Sequence, residues 1–585
     1  MRKDSAFFLM CCNVLLKIEK LVHLCRQKIV LLRENFGKMK KLKKESHKTR
    51  NVLLALLSGA LLTAAWPTWG IAPLILMGLV PLLLLEDRIA QGQKGKLFWL
   101  SFLAFLVWNV ATTWWVWNAT PAAIAAWVLN ALFMAIVFNV FHLTKKKVCN
   151  NPWGNFFLIP YWMAFELLTY WWSIKWPWLN LGNCFSTCHT WVQWYEFTGV
   201  AGGTLWVLLV NILIANVLQF FKSRKAKPIF ISIGLEAVIL IVPIVISKSI
   251  YNHYEDQGID TEVIVVQQNC DPWNEQFDEQ FYNQVIQNNI NLSLPLVTPQ
   301  TRFVVSSESA IQEGIWLHEI DQVQALKTLH NYVQRFPQMA FVIGGTTYEF
   351  VPKGMESDFA ARPIDNMNHY YFSHNSALLI DSTRLQHRNK SQLVVGVEAI
   401  PEWMGFLKNY SITMGIARGT LKGDPEAKVM TFGGHKIGAA ICYESAFGEY
   451  VGNFCKKGAD LLFVITNDGW WGHTPGYRQH FEFSKLRAIE CRRCVARSAN
   501  TGRSGFINQR GDVLQQTHYW VPDAIRETLK ANTKVTFYAK HGDYLSRIAV
   551  YLTFVSLITL IAATLMGSIK HKKATKSANS KKKKK

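Results

Sequence analysis

Eight stretches of this chain are apolar over roughly the length that crosses a lipid bilayer, and nothing else in the sequence limits the fold as severely. They are Asn51–Trp66, Gly70–Leu85, Leu97–Trp117, Ala122–Leu143, Phe156–Trp172, Gly199–Phe221, Ile229–Ile250 and Leu545–Met566. The first two are short. A buried helix of a soluble core explains any one of them, but it is a poor account of eight. The sequence therefore predicts a polytopic α-helical membrane bundle of about eight spans.

The loops test that reading. "MKKLKKESHKTR" precedes the first span, and "EDRIAQGQKGK", "TKKKVCNN" and "KSRKAKP" fill every second connection. "IKHKKATKSANSKKKKK" follows the last, while the short loops "PT" and "NATP" carry no lysine or arginine. Basic loops stay cytoplasmic, which puts both ends of the chain on that side and requires an even number of spans. The formal net charge of +23 is then largely topological. Nucleic acid is not an expected partner; the lipid bilayer is, and the terminal lysine run suits either anionic lipid or solvent.

The predicted organisation is a basic cytoplasmic segment at 1–50, seven transmembrane helices in 51–250 and an outward-facing soluble domain at 251–543. An eighth helix at 544–567 and a basic cytoplasmic tail at 568–585 follow. Residues 1–38 lack a signal-peptide pattern, and Met39 is the expected true start. The eleven cysteines form no framework. Cys491-x-x-Cys494 reads as two positions on a helix, because a structural zinc needs four ligands. Cys184 and Cys188 lie on the outer side, and whether they pair is not legible. The outer connection Ser173–Phe197 is rich in tryptophan, which suits an interfacial belt or the wall of a lipid entry path.

Within 251–543, strand-like runs alternate with helical ones. "TEVIVVQQN", "RFVVSSES", "AFVIGGTTYEF", "NSALLID", "KIGAAICYES" and "LLFVITND" read as strands. "FDEQFYNQVIQNNINLS", "HEIDQVQALKTLHNYVQRF" and "QHFEFSKLRAIECRRCVAR" read as helices. An α/β domain follows, with functional groups at strand ends. Three stand there: Glu308, Lys390 and Cys442. Glu398, Glu444 and Asn467 form a second layer. Taken singly, each has an ordinary structural explanation.

Together, in this order, they resemble the carbon–nitrogen hydrolase, or nitrilase, superfamily, and more closely its membrane branch, the apolipoprotein N-acyltransferases. The motifs are "NSALLID", Lys390 with Glu398 eight residues on, "ICYE", "NDGWWG" and "QH…RAIE…R…NTG". The resemblance implies an αββα sandwich inserted between the seventh and eighth spans. It implies Glu308 as general base, Lys390 as cationic stabiliser and Cys442 as nucleophile, with Glu398, Glu444, Tyr443, Asn375 and Trp273 accessory. The sequence departs from the pattern at Ser306 and Ser307, where a proline and an aromatic residue are usual, and in "VGVE", where the glycine has moved by one place.

The chemistry suits these residue types. A thiol must become a thiolate to attack an ester, a carboxylate in reach takes its proton, and an ammonium offsets the developing oxyanion. The resemblance further implies a ping-pong transfer from a phospholipid acyl donor, through a cysteine thioester, to the α-amino group of diacylglyceryl-modified apolipoproteins. It implies no metal or organic cofactor, and a bacterial inner-membrane location with the catalytic domain periplasmic. "PEWMGFL" (Pro401–Leu407) and "GWWGHTPGY" (Gly469–Tyr477) are the loops expected to reach lipid. The alternative is a membrane-anchored amidase acting on a small amide, which a closed polar pocket would favour.

Overall fold

The computed structural model describes residues 47–67, 70–222, 226–276, 278–364, 369–407 and 420–582, with side chains at 47, 226 and 570–582 excepted. The segment 1–38 and Met39 lie outside the described residues. Leu54–Gly92 and Lys96–Lys585 form one unit. In a separate small unit, Asn51 Nδ2 donates to the Lys94 carbonyl at 3.4 Å.

Four helices are long and apolar enough to cross a membrane: Ala123–Val148, Tyr195–Lys222, Lys227–His253 and Tyr544–Ile569. Leu97–Thr113 is a shorter apolar helix. The remaining predicted spans are divided or short. Gly70–Leu85 becomes a 3-10 turn, Ala72–Met77, and a helix, Val80–Ala90, with prolines at the start of each. Phe156–Trp172 becomes the turn Pro152–Phe157 and the 14-residue helix Leu158–Trp171. Asn51–Trp66 coincides, but for its last residue, with part of the helix His47–Ala65, which has 19 residues. The helix Tyr544–Lys582 continues through what the sequence suggested was a tail.

Residues 259–531 fold into two stacked sheets. The first contains β1 (Ile259–Gln267), β2 (Thr301–Val305), β3 (Ile311–Trp316), β4 (Ala340–Phe350), β5 (Arg362–Pro363), β6 (Tyr370–Ile380), β7 (Leu385–Asn389) and β14 (Asp523–Ala531). Its order is β14-β1-β2-β4-β6-β5, with β3 on β4 and β7 on β6. The second contains β8 (Met430–Phe432), β9 (His435–Ile441), β10 (Leu461–Thr466), β11 (Val495–Ala499), β12 (Gly505–Ile507) and β13 (Val513–Gln516), in reverse order. β1, β2 and β4 are parallel, as are β9, β10 and β11.

The two-residue period of a strand explains the layers. Val263, Val265, Phe303 and Val305 meet Ile437, Ala439, Ile441 and Phe463 between the sheets. The alternate residues Ile264, Val266 and Val304 face helices Glu279–Ser293 and Gln324–Gln334. On the second sheet, Ala440, Leu462 and Val464 face helices Gly448–Lys456 and Pro475–Cys491, and that layer is continuous with the core of the helical bundle. Polar contacts reinforce it: Trp178 Nε1 donates to Gln479 Oε1 at 2.8 Å, and Val200 N to Glu490 Oε1 at 3.1 Å.

Two local readings change. "VAR", Val495 to Arg497, belongs to the buried strand β11 and not to the helix. The helix before it ends at Cys491, and Arg492 adopts the left-handed conformation that closes helices (φ +46°). Cys491 and Cys494 therefore do not share a helix.

Candidate active site

The candidate residues come from the ends of strands in both sheets. Glu308 lies just beyond β2 and Lys390 just beyond β7, in the first sheet; Cys442 directly follows β9 in the second. Lys390 Nζ donates to Glu308 Oε1 at 3.1 Å and to Glu398 Oε1 at 2.8 Å. Asn375 Nδ2 donates to the same two oxygens, at 2.7 and 2.9 Å. The backbone N–H of Asn467, at the end of β10, donates to Glu308 Oε2 at 2.9 Å. Glu308 is thus held by groups from both sheets. Burial works against the Lys390 charge, but Glu308 and Glu398 override it and hold the ammonium protonated.

Cys442 has φ +51°, rare for a non-glycine residue and a strained turn off the strand tip. Burial raises its thiol pKa, and Glu308 adds to that, while Lys390 pulls the other way. The resting group is therefore a thiol, and a base must take its proton before it attacks.

Glu444 does not face the cavity. Its carboxylate is fully buried and takes both guanidinium nitrogens of Arg388, at 2.6 and 2.7 Å. It also accepts from Ile441 N at 2.8 Å and from Ser391 N at 2.6 Å. Burial opposes its charge, yet Arg388 and these N–H groups keep its pKa below the usual range. One carboxylate therefore fixes the residue before Cys442 and the residue after Lys390.

The sequence departures have local explanations. Ser306 Oγ lies 2.6 Å from Asn289 Oδ1, and Ser307 Oγ accepts from Gln268 Nε2 at 2.7 Å, so both serines are satisfied in the interior. In "VGVE", Gly396 sits at φ +85°, which a glycine accepts without cost. The turn it permits returns Glu398 Oε2 to Val394 N at 2.8 Å.

A cluster the sequence did not single out by residue lies beside Cys442. His480 Nδ1 is 2.9 Å from Asp468 Oδ1, and Arg497 Nη2 is 2.7 Å from Asp468 Oδ2. His480 Nε2 reaches the Cys442 carbonyl at 3.1 Å and the Ser445 hydroxyl at 2.8 Å. Against burial, Arg497 and His480 bring the Asp468 carboxyl down to about 2. Donor atoms of Cys442, Asp468 and His480 fall within 4.8 Å of one another, a spacing that a metal could use. The carboxylate is already ion-paired and the imidazole already bonded, so the cluster acts as a brace. Its only trace in the sequence was "ND" and "QH" within longer motifs.

Cys442 and Tyr443 form part of the wall of an apolar cavity of about 180 Å³. The rest includes Ala123, Ala126 and Phe133 of a membrane-type helix, Trp176 and Trp178 of the tryptophan-rich connection, and Val394–Val397. That connection therefore contributes to the cavity, as the entry-path reading expects. Tyr443 stacks on Trp178, and its hydroxyl donates to the Lys175 carbonyl at 3.0 Å. Trp273 does not join this wall: it is 58% exposed, with its ring against Trp470. Trp403 and Phe406, in the first expected lipid-facing loop, are exposed. The second loop instead docks on the bundle: Trp471 packs 4.6 Å from Trp115, and Tyr477 is buried.

Residues 58–213 match the family model described as the apolipoprotein N-acyltransferase N-terminal domain, and 318–533 match the carbon–nitrogen hydrolase model. An apolipoprotein N-acyltransferase from Chlorobaculum tepidum is 27% identical over 87% of this chain and 96% of its own length. One from Geobacter metallireducens is 25% identical over 84% and 92%. The solved structure of Saccharomyces cerevisiae Nit3, from the nitrilase superfamily, aligns at 16% identity with TM-score 0.34, over 47% of this chain and 92% of Nit3.

Proposed function

This chain belongs to the apolipoprotein N-acyltransferase family, and on that premise we propose that Cys442 is the nucleophile of a two-step acyl transfer. The protein is an acyltransferase that N-acylates lipoproteins. In the first step Glu308 takes the Cys442 proton and the thiolate attacks an acyl ester of a phospholipid. Lys390 offsets the negative charge on the carbonyl oxygen, Glu308 passes the proton to the departing glycerol oxygen as the lysophospholipid leaves, and a thioester remains. In the second step the neutral α-amino group of a diacylglyceryl-cysteine N-terminus attacks the thioester, and Glu308 takes a proton from the nitrogen and passes it to the departing sulfur, so that the amide forms and the thiol is restored. Glu398 and Asn375 hold Lys390 and Glu308 in place; Glu444 holds the strand ends.

The observation that carries this reading is the apolar cavity shared by Cys442 and the helix Ala123–Val148. A fatty chain suits such a wall; a small polar amide does not. The four long helices, together with the shorter apolar segments, fit eight crossings, with the catalytic domain on the periplasmic side of a bacterial inner membrane.

The test is the intact mass of the detergent-solubilised protein after incubation with phospholipid and no acceptor. Wild type gains one fatty-acyl mass, Cys442→Ala does not, and a diacylglyceryl-cysteine peptide discharges it. Wild type left unmodified, with the phospholipid intact, would defeat the acyl-donor assignment.

A further inference from the structure

Lys175 is the only lysine, arginine or carboxylate among the described residues on the wall of the apolar cavity. It lies in the connection between Leu158–Trp171 and the turn Pro177–Leu179. Its Nζ donates to a neutral acceptor, Gln392 Oε1, at 2.7 Å. The carboxylate whose field it feels, Glu444, is already committed to Arg388. Burial lowers the Lys175 pKa, and Glu444 only partly opposes this. An ammonium drawn out of water without a paired anion is unfavourable, and a ligand that brought an anion would relieve it.

The same side chain also lines a second, polar cavity of about 500 Å³, with Gln392, Asn453, Lys456 and Lys457. The three carboxylates on that wall are engaged: Glu426 with Lys457 at 2.5 Å, Glu449 with Arg547, and Asp543 with the Tyr538 hydroxyl, which donates to it at 2.8 Å. Lys456 is exposed there. The partition between the cavities is thin. Tyr443 lines the first and Phe447 the second, with ring centroids 5.1 Å apart. Lys175 thus stands where a largely apolar space, which Cys442 also lines, meets a polar one.

We infer that Lys175 recognises the phosphodiester of the acyl donor, with the fatty chain in the apolar cavity and the headgroup in the polar one beside Lys456. The inference rests on the acyl-transfer reading. In that reading both substrates are glycerolipids, and only the donor carries a phosphate. The acceptor instead presents an amino group, which a lysine repels when it is protonated. Lys175 is therefore a residue by which one site tells its two lipids apart.

The test uses the full-length protein in detergent and two donors with the same chains, dipalmitoyl phosphatidylglycerol and dipalmitoylglycerol. Acyl-enzyme formation is followed by intact mass for wild type, Lys175→Gln and Lys175→Arg. Lys175→Gln should lower the preference for the phosphate-bearing donor by about tenfold, the scale of one charge-assisted hydrogen bond, and Lys175→Arg should restore most of it. An equal fall with both donors, or no change in the preference, overturns the inference and leaves the acyl-transfer reading intact. Lys175-dependent inhibition by millimolar inorganic phosphate, without a donor preference, would identify a free-anion site and overturn it as well. No acyl-enzyme from either donor on wild type overturns both readings.

Discussion

At the scale of single residues, the site depends on buried charges that are individually costly and mutually satisfied. Removing one partner leaves the other buried and uncompensated. Glu444→Gln leaves Arg388 buried without its anion and should cost about 3–5 kcal/mol, seen as a lowered melting temperature in detergent. The pair Arg388→Met/Glu444→Leu should recover only part of that loss, because the Ile441 and Ser391 N–H groups lose their acceptor. Asp468 supplies the pH dependence. Its carboxyl is depressed from 3.8 to about 2, so its stabilisation is complete above pH 4 and lost as the pH falls through 2. The contribution is about 2 kcal/mol, and acid unfolding of Asp468→Asn should show a correspondingly weaker dependence over that range. Glu308 and Cys442 were legible in the sequence because each follows an apolar run, whereas Lys390 follows the polar "LQHRN" and stood out only through the ordered set of motifs. The Asp468–His480–Arg497 brace was not, since its members are 29 positions apart at the extremes and meet only through the fold.

Elements show where pattern reading fails. Six runs read as strands are strands, because each is a short apolar run buried on both faces, between the sheets on one side and against helices on the other. "VAR" escaped because Arg497 within it looks like an exposed helical position. It is fully buried, and its charge is answered by Asp468. The same holds for Arg492, paired with Glu196 at 3.1 Å, and for Arg493, which donates to the Ala459 and Lys534 carbonyls. The helix Ala123–Val148 makes its own prediction. It offers alanines to the cavity, and Ala126→Phe would fill part of a space of about 180 Å³. With a donor of mixed chain lengths, the acyl-enzyme of this variant should shift towards shorter chains by mass spectrometry, with the melting temperature little changed.

For the whole molecule, hydropathy conveyed the presence of a bundle and of an inserted domain, but overstated how regular the bundle is. Apolar length alone does not reveal that prolines at Pro73, Pro81 and Pro152 will divide a run into turn and helix. Nor does it reveal that the inserted domain is built onto the bundle. Helices Gly448–Lys456 and Pro475–Cys491 bury Phe454, Phe481, Phe483 and Leu486 in a core continuous with Trp178 and Tyr195. Residues 251–543 made alone would expose that face. Size-exclusion chromatography of such a fragment should show aggregate where the full chain in detergent gives a defined peak; a soluble monomer would mean that the shared core is dispensable.

The bond network of Glu444 has one more consequence. Glu308 and Lys390 ride on one sheet and Cys442 on the other, so under the proposed mechanism the reacting groups are aligned only while the two sheets keep their offset. Glu444 acts as a dowel through that seam: anchored beside Cys442, it grips Arg388 and Ser391 across it. A molecule whose dowel has loosened is still folded but out of true. Warming such a molecule should silence it several degrees before it melts.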